Sequence, residues 1–89
     1  MAVAKKVIYS GSVQGVGFRY TTQHVAGAFA VSGYVRNLPS GDVELVAEGE
    51  ADQVDGFLAK VAQVMGSYIG EANVTAEAPS GLRDFRIRH

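Results

Sequence analysis

The order in which strand-like and helix-like spacings of apolar residues succeed one another constrains the fold of this chain more than any other feature. Three consecutive apolar residues lie within residues 5–11, and they indicate a strand covered on at least one face. A glycine-rich loop, residues 11–17, leads into a predicted helix over residues 18–31, which Ser32-Gly33 is expected to end. The apolar face of this helix is formed at helical spacing by Phe18, Thr22, Val25, Ala26 and Phe29.

A hairpin and a second helix are predicted next. Residues 34–38 and 42–48 have the pattern of strands, and the turn residues Pro39-Ser40-Gly41 between them are typical of a hairpin. The second helix is expected to begin at residues 49–52, where acidic residues favour a helix N-terminus, and to end at Gly66. Its apolar stripe consists of Val54, Phe57, Leu58, Val61 and Met65.

Alternation along the third strand predicts how the sheet is covered. Its two faces carry different residues: Val43, Leu45 and Ala47 on one, and Asp42, Glu44, Val46 and Glu48 on the other. We therefore expect one face of the sheet to be buried and the other to be largely in contact with water. A loop over residues 67–70 is expected to precede a fourth strand, residues 72–77, and Phe85 and Ile87 mark a short last strand.

The resulting order is β-α-β-β-α-β followed by a short extra strand. In this order two helices can cover one face of an antiparallel sheet, which is the ferredoxin-like sandwich of the α+β class. We expect a single domain over residues 1–89, because a chain of 89 residues has the size of one small domain.

Composition and charge exclude several classes of protein. The formal net charge is −1, which provides no field to attract nucleic acid or an anionic membrane. The chain has no cysteine, so disulfides, thiolate zinc sites and thiol nucleophiles are excluded. No apolar run approaches the roughly 20 residues of a membrane helix, and no signal-peptide core is present, so we expect a cytoplasmic protein. A monomer is expected, since no edge strand is unusually apolar.

The most distinctive segment is Ser-Val-Gln-Gly-Val-Gly-Phe-Arg, residues 12–19, which connects the first strand to the first helix. Glycines allow several N–H groups to point into one concavity, and a helix N-terminus adds partial positive charge, a combination that binds anions. Arg19 lies in the first turn, where a cation opposes the helix dipole unless an anion is bound nearby. Its guanidinium can bind two phosphate oxygens. A solvated arginine after a glycine-rich turn is the alternative that these residues leave open.

Two better-known phosphate motifs do not fit this segment. A dinucleotide-binding fingerprint needs a third glycine where Tyr20 lies, and no Gly-Lys-Ser/Thr follows as in a Walker A loop.

Residues 13–19, Val-Gln-Gly-Val-Gly-Phe-Arg, resemble the phosphate loop of the acylphosphatase family. Residues 33–44, Gly-Tyr-Val-Arg-Asn-Leu-Pro-Ser-Gly-Asp-Val-Glu, resemble the second signature of that family, and Glu48-Gly49 resembles its acidic–glycine pair. The resemblance spans nearly the whole chain. It implies the ferredoxin-like fold and the hydrolysis of the carboxyl–phosphate bond of an acyl phosphate to a carboxylate and inorganic phosphate, with no metal and no cofactor.

The resemblance also implies roles for individual residues. Arg19 corresponds to the arginine that binds the phosphate, and Asn37 corresponds to the asparagine that positions the attacking water. Two positions depart from the commonest family pattern: Ser12 lies where a basic residue is frequent, and residues 66–71 lack a proline often found there. The phosphate cradle would be formed by the backbone N–H groups of Gln14, Gly15, Val16, Gly17, Phe18 and Arg19.

Hydrolysis of an acyl phosphate requires few catalytic groups. The leaving group is a carboxylate whose conjugate acid has a pKa of about 4, so no general acid is required. The transition state is loose and carries charge on the phosphoryl oxygens, so positioning and electrostatics supply most of the catalysis. The amide of Asn37 can hold a water molecule because it both donates and accepts hydrogen bonds. The substrate phosphate is the expected acceptor of the proton of that water.

Two other functions compete with this hypothesis. A non-catalytic phosphate binder, such as the similar N-terminal domain of larger carbamoyl-transfer maturation proteins, would need Arg19 but not Asn37. RNA-recognition domains share the order of elements, but the third strand here has no aromatic residue and three acids, so nucleic acid is not an expected partner. His24 is expected on the solvent side of the first helix and His89 at the chain end, which disfavours a phosphohistidine intermediate.

Overall fold

The computed structural model of the protein describes residues 2–89. No helix in this range is both long and apolar enough to cross a membrane. The elements follow in the order β1 Ala2–Gly11, α1 Phe18–Ala26, β2 Val31–Asn37, β3 Val43–Glu50, α2 Ala51–Met65, a single 3-10 turn Gly66–Tyr68, β4 Ile69–Glu77 and β5 Phe85–Arg88.

The strands form one sheet in the order β4-β1-β3-β2-β5. Neighbouring strands are antiparallel except β2 and β5, which are parallel. The hairpin strand β3 therefore lies between β1 and β2, as a split β-α-β arrangement requires. This confirms the predicted α+β, ferredoxin-like fold.

The core lies between the sheet and the two helices. Leu45 of β3 pairs with Val7 of β1 and with Val35 of β2, and all three side chains are buried. Phe57 of α2 is completely buried and its ring centroid lies 5.3 Å from that of Phe85 on β5. Burying a side chain of this size stabilises the fold by about 1.5–3 kcal/mol.

Helix α1 is shorter than predicted, and the expected stop at Ser32-Gly33 is wrong. The helix ends at Ala26, and the N–H groups of Gly27 and Ala28 bond back to the carbonyl oxygens of His24 and Val25, at 3.1 and 3.0 Å. Residues from Val31 onward belong to β2, since pairing with β3 outweighs the helical spacing of the side chains. Gly33 has a φ of 147° inside this strand, and a Cβ there would meet the carbonyl oxygen of Val46 at 1.8 Å. Glycine is therefore required at 33 by close approach of two strands.

β1 and β4 begin earlier in the chain than predicted. β1 begins at Ala2, which pairs with Glu50, and β4 begins at Ile69, which pairs with Gly11. The predicted loop over residues 67–70 is thus a 3-10 turn followed by the start of β4. Ladder pairing extends both strands beyond the residues with clear alternation.

The alternation predicted that the sheet face opposite the helices would be largely in contact with water. Along β3 this prediction is wrong, because the side chains on that face are buried. Glu44 is 6% exposed and Glu48 is 5% exposed. The guanidinium of Arg36 and the hydroxyl of Tyr34 donate to Glu44, at 2.6 and 3.0 Å. Burial acts to raise the pKa of Glu44, but these hydrogen bonds, with the charges of Arg36 and Lys6, hold the pKa below its ordinary value.

Glu48 is buried with backbone N–H groups as its hydrogen-bond partners. Its carboxylate accepts the backbone N–H groups of Ser80, Gly81 and Leu82, at 2.7, 2.9 and 3.0 Å. The hydrogen bonds from Ser80 and then those from Gly81 and Leu82 lower the pKa of Glu48, against the opposing effect of burial. The segment that leads into β5 is thereby tied to the middle of the sheet.

Candidate active site

The loop between β1 and α1 leaves a row of N–H groups free. Gly15 and Gly17 have φ values of 78° and 73°, so the chain reverses its curvature twice within three residues. The first helical hydrogen bond runs from the N–H of Thr21 to the carbonyl of Gly17, at 2.9 Å. Within residues 2–89, none of the N–H groups of residues 14–19 donates a hydrogen bond to the protein. These donors surround the positive end of α1, which is the arrangement that binds anions.

The ends of this loop are fixed in the core. Val13 is completely buried, and Phe18 is 2% exposed with its ring centroid 5.1 Å from that of Tyr9. The apolar surroundings are strong enough that burial raises the pKa of Tyr9 to about 12. Between these anchors the glycines face open space, because a Cβ at Gly15 or Gly17 would meet nothing within 4 Å. The loop is thus anchored in the core at both ends and faces open space between them.

Gln14 joins the loop to the β2–β3 hairpin. Its Nε2 donates to the carbonyl oxygens of Leu38 and Asp42, both at 2.9 Å. The same two residues close the hairpin, where the N–H of Leu38 bonds the carbonyl of Asp42 at 2.8 Å. The Gln14 side chain thus connects the loop to the residue after Asn37.

Asn37 is the last residue of β2 and is exposed. Arg36 before it points to the sheet face opposite the helices, where it pairs with Glu44, so alternation directs Asn37 toward the helix side. In the described part of the chain the Asn37 amide has no hydrogen-bond partner. Its donor and its acceptor are both available to a water molecule.

Arg19 lies in the first turn of α1, a turn that contains no acidic residue. Across residues 2–89 the guanidinium forms no ion pair. Its Nη1 lies 3.2 Å from Nδ1 of His89, immediately after β5. No local pattern in the sequence predicts this contact of His89, because it joins residues 70 positions apart.

The other residues considered at the sequence level are exposed. His24 is on an exposed part of α1, as expected. Tyr20 follows Arg19 and is 64% exposed, and Ser12 is exposed at the start of the loop. The structure therefore brings together the loop N–H groups, Arg19 and, through Gln14, the hairpin that carries Asn37.

Comparison with known proteins identifies the family to which this arrangement belongs. The sequence model of the family described as acylphosphatase matches residues 5–87. An acylphosphatase of Methanospirillum hungatei is 44% identical over 84 residues, which are 92% of each chain. The crystal structure of acylphosphatase from Bacillus subtilis superposes with a TM-score of 0.88 at 30% identity and covers all of both chains.

A larger protein contains a similar fold. The crystal structure of full-length HypF in its phosphate- and nucleotide-bound form matches with a TM-score of 0.88 at 26% identity, and the match covers this whole chain but 12% of that one.

The fold, the loop and these relatives define a class of small hydrolases built on a ferredoxin-like sandwich. The chain belongs to the acylphosphatase family.

Proposed function

We propose that this chain hydrolyses acyl phosphates to a carboxylate and inorganic phosphate, with the backbone N–H groups of residues 14–19 and the Arg19 guanidinium binding the phosphate. Membership of the acylphosphatase family supports the reaction. The observation that carries the residue assignment is the row of free N–H groups in the loop that leads to Arg19, an arginine that forms no ion pair within the described residues.

Phosphate binding follows from the charges of the site. The phosphoryl oxygens accept from the loop N–H groups and lie at the positive end of α1, where an anion is favoured. The guanidinium of Arg19 donates two parallel hydrogen bonds to two of these oxygens. The bound anion then offsets the unfavourable position of a cation in the first turn of the helix.

Asn37 positions the water that attacks phosphorus. The amide oxygen accepts one hydrogen of the water and the amide N–H donates to its oxygen, which fixes the direction of attack. The P–O bond to the carboxylate breaks as the new P–O bond forms, and the carboxylate leaves without protonation. The proton of the water passes to a phosphoryl oxygen. Each donor is already in place, so little reorganisation accompanies the charge that develops on the phosphoryl group.

The test is hydrolysis of benzoyl phosphate in EDTA by wild type, Asn37→Ala and Asn73→Ala. Asn73 is the other asparagine of the chain and lies on the exposed strand β4, so it controls for loss of an amide. We expect chelator-resistant turnover in wild type and Asn73→Ala. In Asn37→Ala we expect kcat to fall by about 100-fold, while the inhibition constant of inorganic phosphate changes little.

Two results would contradict the proposal in different ways. No turnover by folded wild type would leave the loop as an anion-binding device without this activity. A weakened phosphate affinity in Asn37→Ala with unchanged kcat would move Asn37 from water positioning to phosphate binding.

A further inference from the structure

Helix α1 and the C-terminal strand are joined by two side chains one helical turn apart. Gln23 donates from Nε2 to the carbonyl of Phe85 at 3.4 Å, and Arg19 donates from Nη1 to the ring of His89 at 3.2 Å. Positions i and i+4 lie on one face of a helix, so both contacts face the same strand. One of the two residues that meet the strand end is the proposed phosphate-binding arginine.

The contact between Arg19 and His89 requires a particular protonation state. A guanidinium only donates hydrogen bonds, so Nδ1 of His89 must accept, which it does only when the imidazole is neutral with its proton on Nε2. A protonated imidazole would present an N–H donor and a positive charge to the guanidinium. Histidine is the side chain that changes between these states near neutral pH.

The contact leaves the rest of the guanidinium available. Arginine has five N–H donors, and a phosphate bound through a fork uses two of them. A guanidinium held at one end by His89 has lost part of the rotational freedom of a long side chain before the substrate arrives. The neutral imidazole thus orients Arg19 without occupying the donors that bind phosphate.

We propose that His89 is a positioning residue for Arg19 and that protonation of its imidazole releases the arginine, which makes phosphate binding sensitive to pH. This inference rests on the proposed phosphate-binding role of Arg19. His89 touches neither the reacting atoms nor the attacking water.

The guanidinium groups of Arg88 and Arg36 lie on the sheet face opposite the helices. On its own strand, the guanidinium of Arg88 lies over the ring of Tyr34, 3.9 Å from the centroid. Arg36 of the adjacent strand β2 is the register partner of Arg88 and pairs with Glu44. From α1 the facing charge is that of Arg19. Protonation of His89 would therefore place a positive charge directly beside the guanidinium of Arg19.

The test compares His89→Gln, which retains a neutral acceptor, with His89→Phe, which retains a ring without one. The dissociation constant of inorganic phosphate is measured by calorimetry, and KM and kcat for benzoyl phosphate are measured in parallel. Both are determined at about pH 5.5 and about pH 8, on either side of the range in which histidine changes charge. Ratios to wild type at each pH cancel the titration of the phosphate itself.

Two control variants separate this role from simple packing. Gln23→Ala removes the hydrogen bond from α1 to the Phe85 carbonyl of β5, and His24→Gln removes the other histidine of the chain. Both are expected to keep the pH dependence of wild type.

At about pH 8 we expect wild type and His89→Gln to bind phosphate equally, and His89→Phe to bind it about two- to five-fold more weakly, the size of an exposed charged contact. At about pH 5.5 wild type should bind about two- to five-fold more weakly than His89→Gln. The changes should appear in KM more than in kcat.

A wild-type affinity that equals or exceeds that of His89→Gln at the lower pH would overturn the proposal, as would a His89→Phe variant with wild-type affinity at the higher pH. Absence of benzoyl phosphate turnover in wild type rejects the proposed function instead, and the calorimetric comparison still tests His89.

Discussion

Arg19 lies at a position where the local electrostatics disfavour a positive charge. It lies in the first turn of α1, at the positive end of the helix dipole, and this turn contains no acidic side chain to compensate. The described part of the chain offers the guanidinium one hydrogen-bond partner, the ring of His89. A cation kept in such a position without an ion pair favours the proposed anion site, to which the adjacent N–H groups would contribute the remaining donors.

The shape of the guanidinium, in addition to its charge, is expected to matter. Arg19→Lys keeps a positive charge but replaces a planar fork with a point charge that cannot bind two oxygens at once. We expect kcat/KM for benzoyl phosphate to fall by about 100-fold, the range observed when one transition-state donor is lost. Arg83→Lys, on an exposed loop, is the matched control and should retain wild-type kinetics. Near-normal catalysis by Arg19→Lys would reject the phosphate clamp.

At the scale of elements, the site depends on how two turns are joined. The phosphate loop connects β1 to α1, whereas Asn37 ends β2, and the chain between them contains the whole of α1. Gln14 connects the two directly through the carbonyl oxygens of Leu38 and Asp42. Its amide thereby fixes the distance between the proposed phosphate cradle and the proposed water site.

Gln14→Leu tests this connection, since leucine has a similar volume and no donor. Two carbonyl oxygens lose a partner, so we expect the free energy of unfolding to fall by about 1–2 kcal/mol. We expect kcat/KM for benzoyl phosphate to fall as well, because the cradle and Asn37 no longer hold a fixed separation.

Gln53→Leu is the control for Gln14→Leu. Gln53 accepts the N–H of Ala30 at 2.9 Å, a comparable tether between an element and a loop, but remote from the phosphate loop. It should lose similar stability and keep the activity of wild type. Equal activity in both folded variants would show that Gln14 serves stability alone.

At the scale of the whole molecule, the sheet is covered on both faces by different means. The helices bury one face with apolar side chains, and charged groups organise the other around Glu44 and Glu48. Both carboxylates have a pKa below the ordinary value of a glutamic acid. The segment between β4 and β5 is held by Glu48, so this carboxylate also helps to place β5 and the chain end beside α1.

Acid should therefore destabilise the fold through Glu48. A carboxylate whose pKa is lower in the folded state stabilises that state fully above its unfolded pKa and loses this contribution as pH falls through the folded pKa. We expect the free energy of unfolding, measured by chemical denaturation, to decline as the pH falls from about 5 to about 3.

Glu48→Gln should remove part of this pH dependence. The amide retains one oxygen and leaves N–H groups of Gly81 and Leu82 without an acceptor, so we expect a loss of about 1–3 kcal/mol near neutral pH. The slope below about pH 5 should be shallower than in wild type. Glu71→Gln, on the exposed strand β4, should change neither quantity. An unchanged slope in Glu48→Gln would show that Glu48 does not cause the loss of stability in acid.

The periodic parts of the chain were the most predictable. The stripe of α2 and the order of elements were expected from spacing, and Val54, Phe57, Val61 and Met65 are buried as predicted. The predicted end of α1 was wrong, because strand pairing with β3 competes with helical spacing after Ala26. The burial of Glu44 and Glu48 was also missed. Alternation identifies which residues share a face, but it does not show that other charged groups will cover that face.

Local periodicity and turn chemistry were sufficient for the element order, the glycine-rich loop and the family resemblance, since each depends on residues close together in the chain. The partners of Gln14, Glu48 and His89 could not be inferred in this way. Those contacts join residues 24 to 70 positions apart, and their geometry exists only when the sheet order places β2, β3 and β5 beside the first helix and its loop. Hydrogen bonds depend on distance and direction in space, which sequence separation does not record.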